Sequence, residues 1–220
     1  MKVAFTIPSA VLKAVAIFAS TDTSRPELGG VAVELWHSDN VVLVATDGRR
    51  LFAIRIGQKW ECDDARPKKC VVIPSELIAA LPMTQKGETL IYASVDFDFS
   101  PPLVTLQENH GVKVSHPALS GKYPDWRTSF EPYNHVDIAP AEGAMVNGEL
   151  LNGFTRAAVI LGNSSPALKL FGKWCDPLFV DMNAWGGWDA LGIIMPMRGD
   201  RDNLFRVPSW SWAPKVATPE

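Results

Sequence analysis

The chain lacks what would mark a helical membrane protein, a disulfide-stapled domain or a common enzyme. No apolar run approaches the roughly 20 residues needed to span a bilayer, so no membrane-spanning helix is expected. Met1-Lys2-Val3-Ala4-Phe5-Thr6 enters a strand-like alternation directly and carries no signal peptide. Cys62, Cys70 and Cys175 are odd in number and widely spaced, which argues against a disulfide framework and for a reducing, cytoplasmic setting. With 21 Lys and Arg against 24 Asp and Glu, the net charge of −3 argues against coating nucleic acid by bulk charge and leaves only a local basic lining. There is no G-x-S-x-G, no Walker loop and no H-E-x-x-H. Cys62 and Cys70 are too far apart for a C-x-x-C site, and His37, His110, His116 and His135 are scattered. Asp96-Phe97-Asp98 fits the solvent face of a strand better than a metal site. Neither catalysis, a metal nor a cofactor is therefore expected.

What is present is an ordinary globular composition, 47% hydrophobic and 20% charged, enough for one or two domains. The most informative stretch is Ala45-Thr46-Asp47-Gly48-Arg49-Arg50-Leu51, an Asp-Gly turn between the apolar runs Val41–Val44 and Leu51–Ile56. Glycine accepts the positive φ that a tight hairpin demands. A bland hairpin has no need of paired arginines followed by a leucine, so the turn is a candidate recognition surface.

Three segments align: Ile7-Pro8-Ser9-Ala10-Val11-Leu12, Ile73-Pro74-Ser75-Glu76-Leu77-Ile78 and Val146-Asn147-Gly148-Glu149-Leu150-Leu151. Each follows a β-rich stretch and opens a helix, with proline placed in the first helical turn of two copies and Asn147 capping the third. Apolar stripes then recur as Val11, Leu12, Val15; Leu77, Ile78, Leu81; and Leu150, Leu151, Phe154. Three strands are expected after each helix: 31–36, 41–45 and 51–56; 89–95, 103–107 and 112–116; 168–171, 178–181 and 191–194. The chain thus reads as an α+β protein of three β-α-β-β-β units. The Pro-, Gly- and aromatic-rich linker 119–143 is long enough to be a functional span. Residues 201–220 read as an extended tail whose Trp210 and Trp212 dock somewhere.

Thr46-Asp47-Gly48-Arg49-Arg50-Leu51, Tyr123-Pro124-Asp125-Trp126-Arg127 and Ile194-Met195-Pro196-Met197-Arg198 stand in an order that resembles the bacterial DNA polymerase III β sliding clamp family. That family has a T-D-G-H-R-L turn in its middle domain, an F-P-D-Y-R segment opening the connector to its last domain, and a terminal M-P-M-R. Arg25-Pro26-Glu27-Leu28-Gly29-Gly30 resembles the family's loop before the second strand of that middle domain. The resemblance implies the DNA-clamp fold at about one and a half domains. Residues 1–118 correspond to one clamp domain of two units, 119–143 to the connector, and 144–198 to half of the last domain, with 199–220 additional.

The family's turn, connector and C-terminus converge on a cleft that captures peptides of polymerases and other DNA enzymes. The matching positions are Leu28, Thr46, Gly48, Arg49, Arg50, Leu51, Pro124, Ile193, Met195, Pro196, Met197 and Arg198. Methionine, proline and leucine suit an adaptable apolar floor, and arginines suit peptide carbonyls or an acidic flank; alternatively Met195 and Met197 only close a sheet edge. Arg49 departs from the family's frequent histidine and adds charge at the rim. The resemblance also implies encirclement of double-stranded DNA, with Lys13, Arg25, Lys86, Arg156 and Lys173 as candidates to face phosphates; solvated surface charge is the other reading of each. Twelve units close the family's ring, so three per chain imply a homotetramer, its unpaired third unit and its open strand 112–116 each meeting their own copies. A clamp loader is a further implied partner. Asp202-Asn203-Leu204-Phe205 faintly resembles the acidic-leucine-phenylalanine end of clamp-binding peptides. The competing reading is a clamp-like adaptor or decoy of phage or mobile-element type, which binds replication proteins or a host clamp without encircling DNA.

Overall fold

Alternation begins at once: in β1 (Lys2–Pro8), Val3, Phe5 and Ile7 are buried between more exposed neighbours. The computed structural model describes residues 1–35, 41–57, 61–62, 69–81, 89–108, 111–129, 138–141, 144–173, 176–182 and 188–197. After β1 come helix α1 (Ser9–Ala16) and strands β2 (Gly30–Leu35), β3 (Val41–Thr46), β4 (Arg50–Ile56) and the short β5 (Glu61–Cys62). The second unit runs β6 (Lys69–Pro74), α2 (Ser75–Ala79), β7 (Leu90–Asp96), β8 (Leu103–Glu108) and β9 (Lys113–Pro117). The third has α3 (Gly148–Ile160), β10 (Lys169–Phe171), β11 (Leu178–Asp181) and β12 (Asp189–Ile194).

Three local expectations change. Pro8 (φ −59°, ψ 129°) and Pro74 (φ −58°, ψ 139°) are the last residues of β1 and β6, one step before their helices rather than in the first turn. The fixed φ of proline serves either place, but the extended ψ here belongs to the strand. The first helical N–H is then satisfied by backbone of the other unit: Ser9 donates to the Thr89 carbonyl at 2.8 Å, and Ser75 to the Gly29 carbonyl at 3.1 Å. Asn147 does cap α3, its Oδ1 accepting the Glu149 N–H at 2.8 Å. The third unit, however, has no full leading strand. Its place is taken by a single bridge, Pro140 to Phe171, because a proline cannot carry a ladder onward. Asp98 likewise leaves the strand: β7 ends at Asp96, and Asp98 pairs with the N-terminal ammonium of Met1.

Among the described residues all strand pairs are antiparallel and form two sheets, β5-β1-β7-β8-β9 and β10-β11-β12-β4-β3-β2-β6. The first two units exchange their leading strands. β1 pairs with β7 from Lys2↔Asp96 to Pro8↔Leu90, and β6 pairs with β2 from Gly30↔Pro74 to Leu35↔Lys69. The third unit joins through its last strand, β12, which pairs with β4 from Asp189↔Arg55 to Ile194↔Arg50.

One apolar core lies between helices and sheets, where Phe18 packs against Phe52 and Phe154 at ring-centroid distances of 5.1 and 4.7 Å. A second cluster covers the opposite face of the seven-stranded sheet. Leu28, Val44, Leu51, Ala53, Val72, Phe179 and Ile193 meet Leu119, Tyr123, Trp126 and Ile138 of the linker there. The described part of the linker thus covers that face, with Tyr123 and Trp126 as its aromatic contacts. Among the described residues no helix is long and apolar enough to cross a membrane.

Candidate functional site: a groove at the Asp-Gly turn

Strand alternation places Leu51 and Ile193 on the linker-covered face, and the register makes them direct cross-strand partners. The pairing continues past the strand ends, where the Met195 N–H donates to the Arg49 carbonyl at 2.8 Å. The turn is locked by its own side chains. Thr46 Oγ1 accepts the Gly48 N–H at 3.0 Å and donates to the Arg50 carbonyl at 2.7 Å. Asp47 Oδ1 accepts the N–H groups of Arg49 and Arg50 at 2.9 and 3.0 Å. Gly48 has φ +85°, and a Cβ there would come within 2.9 Å of Arg25 Nη1.

Beyond the turn the linker forms the opposite wall. Tyr123 is buried against the sheet and donates to the Val44 carbonyl at 3.4 Å. Burial pushes its phenol well above the ordinary range, with nearby Cys70 and Glu34 adding to the shift, so it stays a neutral donor. A 3-10 turn at Trp126–Ser129 follows. Trp126 Nε1 donates to Glu34 Oε1 at 2.8 Å, Arg127 pairs with Glu34 Oε2 at 2.6 Å, and the Arg127 guanidinium lies 4.1 Å from the Trp126 ring centroid. Glu34, buried on β2, thereby anchors the linker through both oxygens.

Between these walls opens a groove of about 300 Å³, lined by Leu28, Thr46, Gly48, Arg49, Arg50, Leu51, Pro124, Ile193 and Met195, all candidates from the sequence. Its floor is apolar and largely covered, while Met195 keeps 46% of its surface exposed. Pro196 and Met197 follow Met195 outside the lining, and Arg198 lies outside the described residues. Arg25, Asp125, Trp126 and Thr128 complete the lining. Asp125 and Trp126 lay inside a motif already singled out; nothing in the sequence marked Thr128.

The arginines separate in role. Arg49 is exposed at the rim and makes no ion pair among the described residues. Arg25, expected to face DNA, instead stands at the groove, pairing with Asp22 and donating to the Asp47 carbonyl, each at 3.3 Å. Arg50, expected to serve the cleft, sends its guanidinium away from it. Nε bonds Asp47 Oδ2 at 3.0 Å, Nη1 the Leu150 carbonyl of α3 at 3.1 Å, and Nη2 the Ile17 carbonyl just after α1 at 3.2 Å, with the Phe18 ring centroid 5.1 Å away. Of the other DNA-facing candidates, Lys13 is half-buried on α1, Arg156 is exposed on α3, Lys173 is exposed after β10, and Lys86 lies outside the described residues, as do Trp210, Trp212 and Asp202–Phe205.

No family model and no curated protein matches the chain. Its fold does match solved structures. The DNA polymerase β subunit of Streptococcus pyogenes aligns over 88% of this chain and 65% of its own at 16% identity and a TM-score of 0.54. The DNA polymerase III β subunit of Thermotoga maritima aligns over 90% and 66% at 15% identity and 0.58. That of Borrelia burgdorferi, solved with a natural product, aligns over 90% and 63% at 13% identity and 0.63. The chain therefore has the DNA-clamp fold and spans about 65% of the length of the β subunits it matches.

Proposed function

We propose that this chain is a cytoplasmic, non-enzymatic processivity factor. Copies of it close around duplex DNA, and the groove tethers a polymerase or another DNA enzyme by a short peptide. One observation carries the reading: three segments distant in sequence, 46–51, 124–128 and 193–195, line a single apolar groove with a cationic rim. An adaptable methionine at its edge and exposed Arg49 suit a peptide with apolar anchors and an acidic flank. Residues 1–118 form the complete clamp domain in this reading, and residues 144–198 a half domain. Four chains of three units match a twelve-unit ring, which a clamp loader would open onto DNA.

Fluorescence anisotropy with a peptide ending in an acidic residue, leucine and phenylalanine tests the groove. Arg49→Ala and Met195→Glu should each weaken binding about tenfold, equivalent to ~1.4 kcal/mol, with no loss of fold. Binding unchanged in both variants, or absent in the native chain, refutes the groove.

A second reading is favoured by one observation: with Arg25 at the groove and Lys13 half-buried, few candidate cations remain to face DNA. A non-encircling adaptor or decoy would need none. Retention on circular but not on linearised duplex DNA supports the ring, because a topological hold is lost at a free end; equal release from both supports the adaptor.

A further inference from the structure

We infer that the third unit is half of a domain completed by the third unit of a second copy, through the two ends of α3. The inference rests on the ring reading and names the contact it requires.

The first two units show how one unit completes another. The strand entering each helix leaves its own unit and pairs with the first strand after the other's helix: β1 with β7, and β6 with β2. The end of each such exchange brings helix ends together, since Ser20 and Thr21 beyond α1 line one cavity with Pro74, Ser75 and Glu76 at the start of α2. Across units, last strands pair with last strands, as β4 does with β12. Among the described residues every position of this scheme is filled except two. β9 has a free edge, and the third unit has no exchange partner.

The third unit carries the marks of that vacancy. Where β2 has a six-residue partner, β10 has one bridge at Pro140, flanked by bonds from the Ala141 N–H to the Leu170 carbonyl at 2.8 Å and from the Gly172 N–H to the Ala139 carbonyl at 3.0 Å. Three large apolar side chains stand in solvent at the ends of α3: Met145 just before it, and Val159 and Ile160 at its close, at 46%, 56% and 38% exposure. In the repeat register Met145 precedes the helix as the β6 residues precede α2, while Val159 and Ile160 occupy the end that faces such a start. A two-fold axis sets the Val159–Ile160 end of each copy against the other's Met145 end, and each surface serves as both donor and acceptor of the contact. The first two units already fill each other's exchange sites, which leaves the third unit of another copy as the matching occupant.

The full-length chain tests this in two ways. With Cys62, Cys70 and Cys175 replaced by serine, Met145→Cys and Ile160→Cys are introduced together and oxidised. A 13-residue helix is about 20 Å long, and a disulfide needs Cα atoms within about 7 Å, so a cross-link between these positions joins two chains. The expected result is a covalent dimer in the double variant and none in either single variant. Separately, Val159→Glu with Ile160→Glu should halve the mass by light scattering while the circular dichroism spectrum stays native, since both side chains are exposed within the single chain and only the stability lent by association is lost. No cross-link together with an unchanged mass overturns the inference. If the native chain is a dimer unaffected by Val159→Glu and Ile160→Glu, the third-unit contact fails while pairing through β9 stands. A monomeric native chain removes both contacts and leaves the peptide groove to its own assay.

Discussion

Arg50 is the residue whose loss should separate stability from binding. Its guanidinium joins the turn at Asp47, the backbone after α1 and the first turn of α3, so it ties the first unit to the third. The Arg50 and Asp47 side chains are 14% and 19% exposed, dry enough for the pair to keep most of its strength. Truncation to alanine leaves the Asp47 carboxylate and two backbone carbonyls without this partner. Breaking a buried pair from one side costs about 3–5 kcal/mol. For a chain of this size that lowers the melting temperature by roughly 6–20 °C, at about 2–4 °C per kcal/mol. Lysine cannot reproduce the three-way fork and should recover only part of the loss. Gly153→Ala attacks the same seam from the other side, because its Cβ would overlap Arg50 Nη1, and overpacking of this kind costs about 1–3 kcal/mol. Arg49→Ala, one residue away but exposed, should stay within about 0.5 kcal/mol of the native chain. Urea denaturation of the four variants, with hydrogen exchange at residues 17–20 and 150–153, reads the difference. An Arg50→Ala chain within about 1 kcal/mol of native stability, or an Arg49→Ala chain equally destabilised, refutes the assignment of Arg50 to the seam.

Trp126→Phe removes the donor to Glu34 Oε1 and leaves a buried carboxylate oxygen short of a bond, at a cost of about 1–3 kcal/mol; limited proteolysis should then cut the linker faster, and unchanged protection would show that the bond does not hold it. Tyr123 gives a pH signature. Its folded-state pKa is raised above the ordinary 10.0, so its contribution is fully present below pH 10 and is lost as pH rises through the folded value. Tyr123→Phe should therefore flatten the fall in stability above pH 10, and a fall of the same steepness in the variant would rule Tyr123 out as its source.

Much of the fold was legible because the signals were local and repeated. The Ile-Pro-Ser copies marked two helix starts, Asn147 a third, and the Asp-Gly turn a hairpin whose glycine does take a positive φ. Motif order also brought together segments that no local rule could join. What the sequence hid was direction. Arg49 and Arg50 are adjacent and chemically alike, yet Arg49 belongs to the turn at the groove rim, whereas Arg50 opens β4 and shares with Phe52 the face toward the helix seam. Which one does so depends on Leu51 and Phe52 having already chosen their cores. Arg25 escaped for a different reason: it is placed by the 3-10 turn at Pro26–Leu28, and only the folded chain shows that this turn abuts Gly48.

The two arginine roles bear on how the groove and the helix seam communicate. The turn that lines the groove is held by Thr46 and Asp47, and Asp47 is also the counter-ion of the seam arginine. A peptide bound in the proposed groove would, by pulling on Arg49, act on a turn whose carboxylate orients Arg50, which bonds the backbone of α3 and of Ile17 just after α1. The coupling is limited by what that carboxylate holds. If Asp47→Asn keeps the turn's N–H acceptors but weakens the ion pair, peptide affinity should change little while the seam loosens. A loss of peptide affinity as large as that of Arg49→Ala would mean that the groove depends on the seam as much as on its own rim.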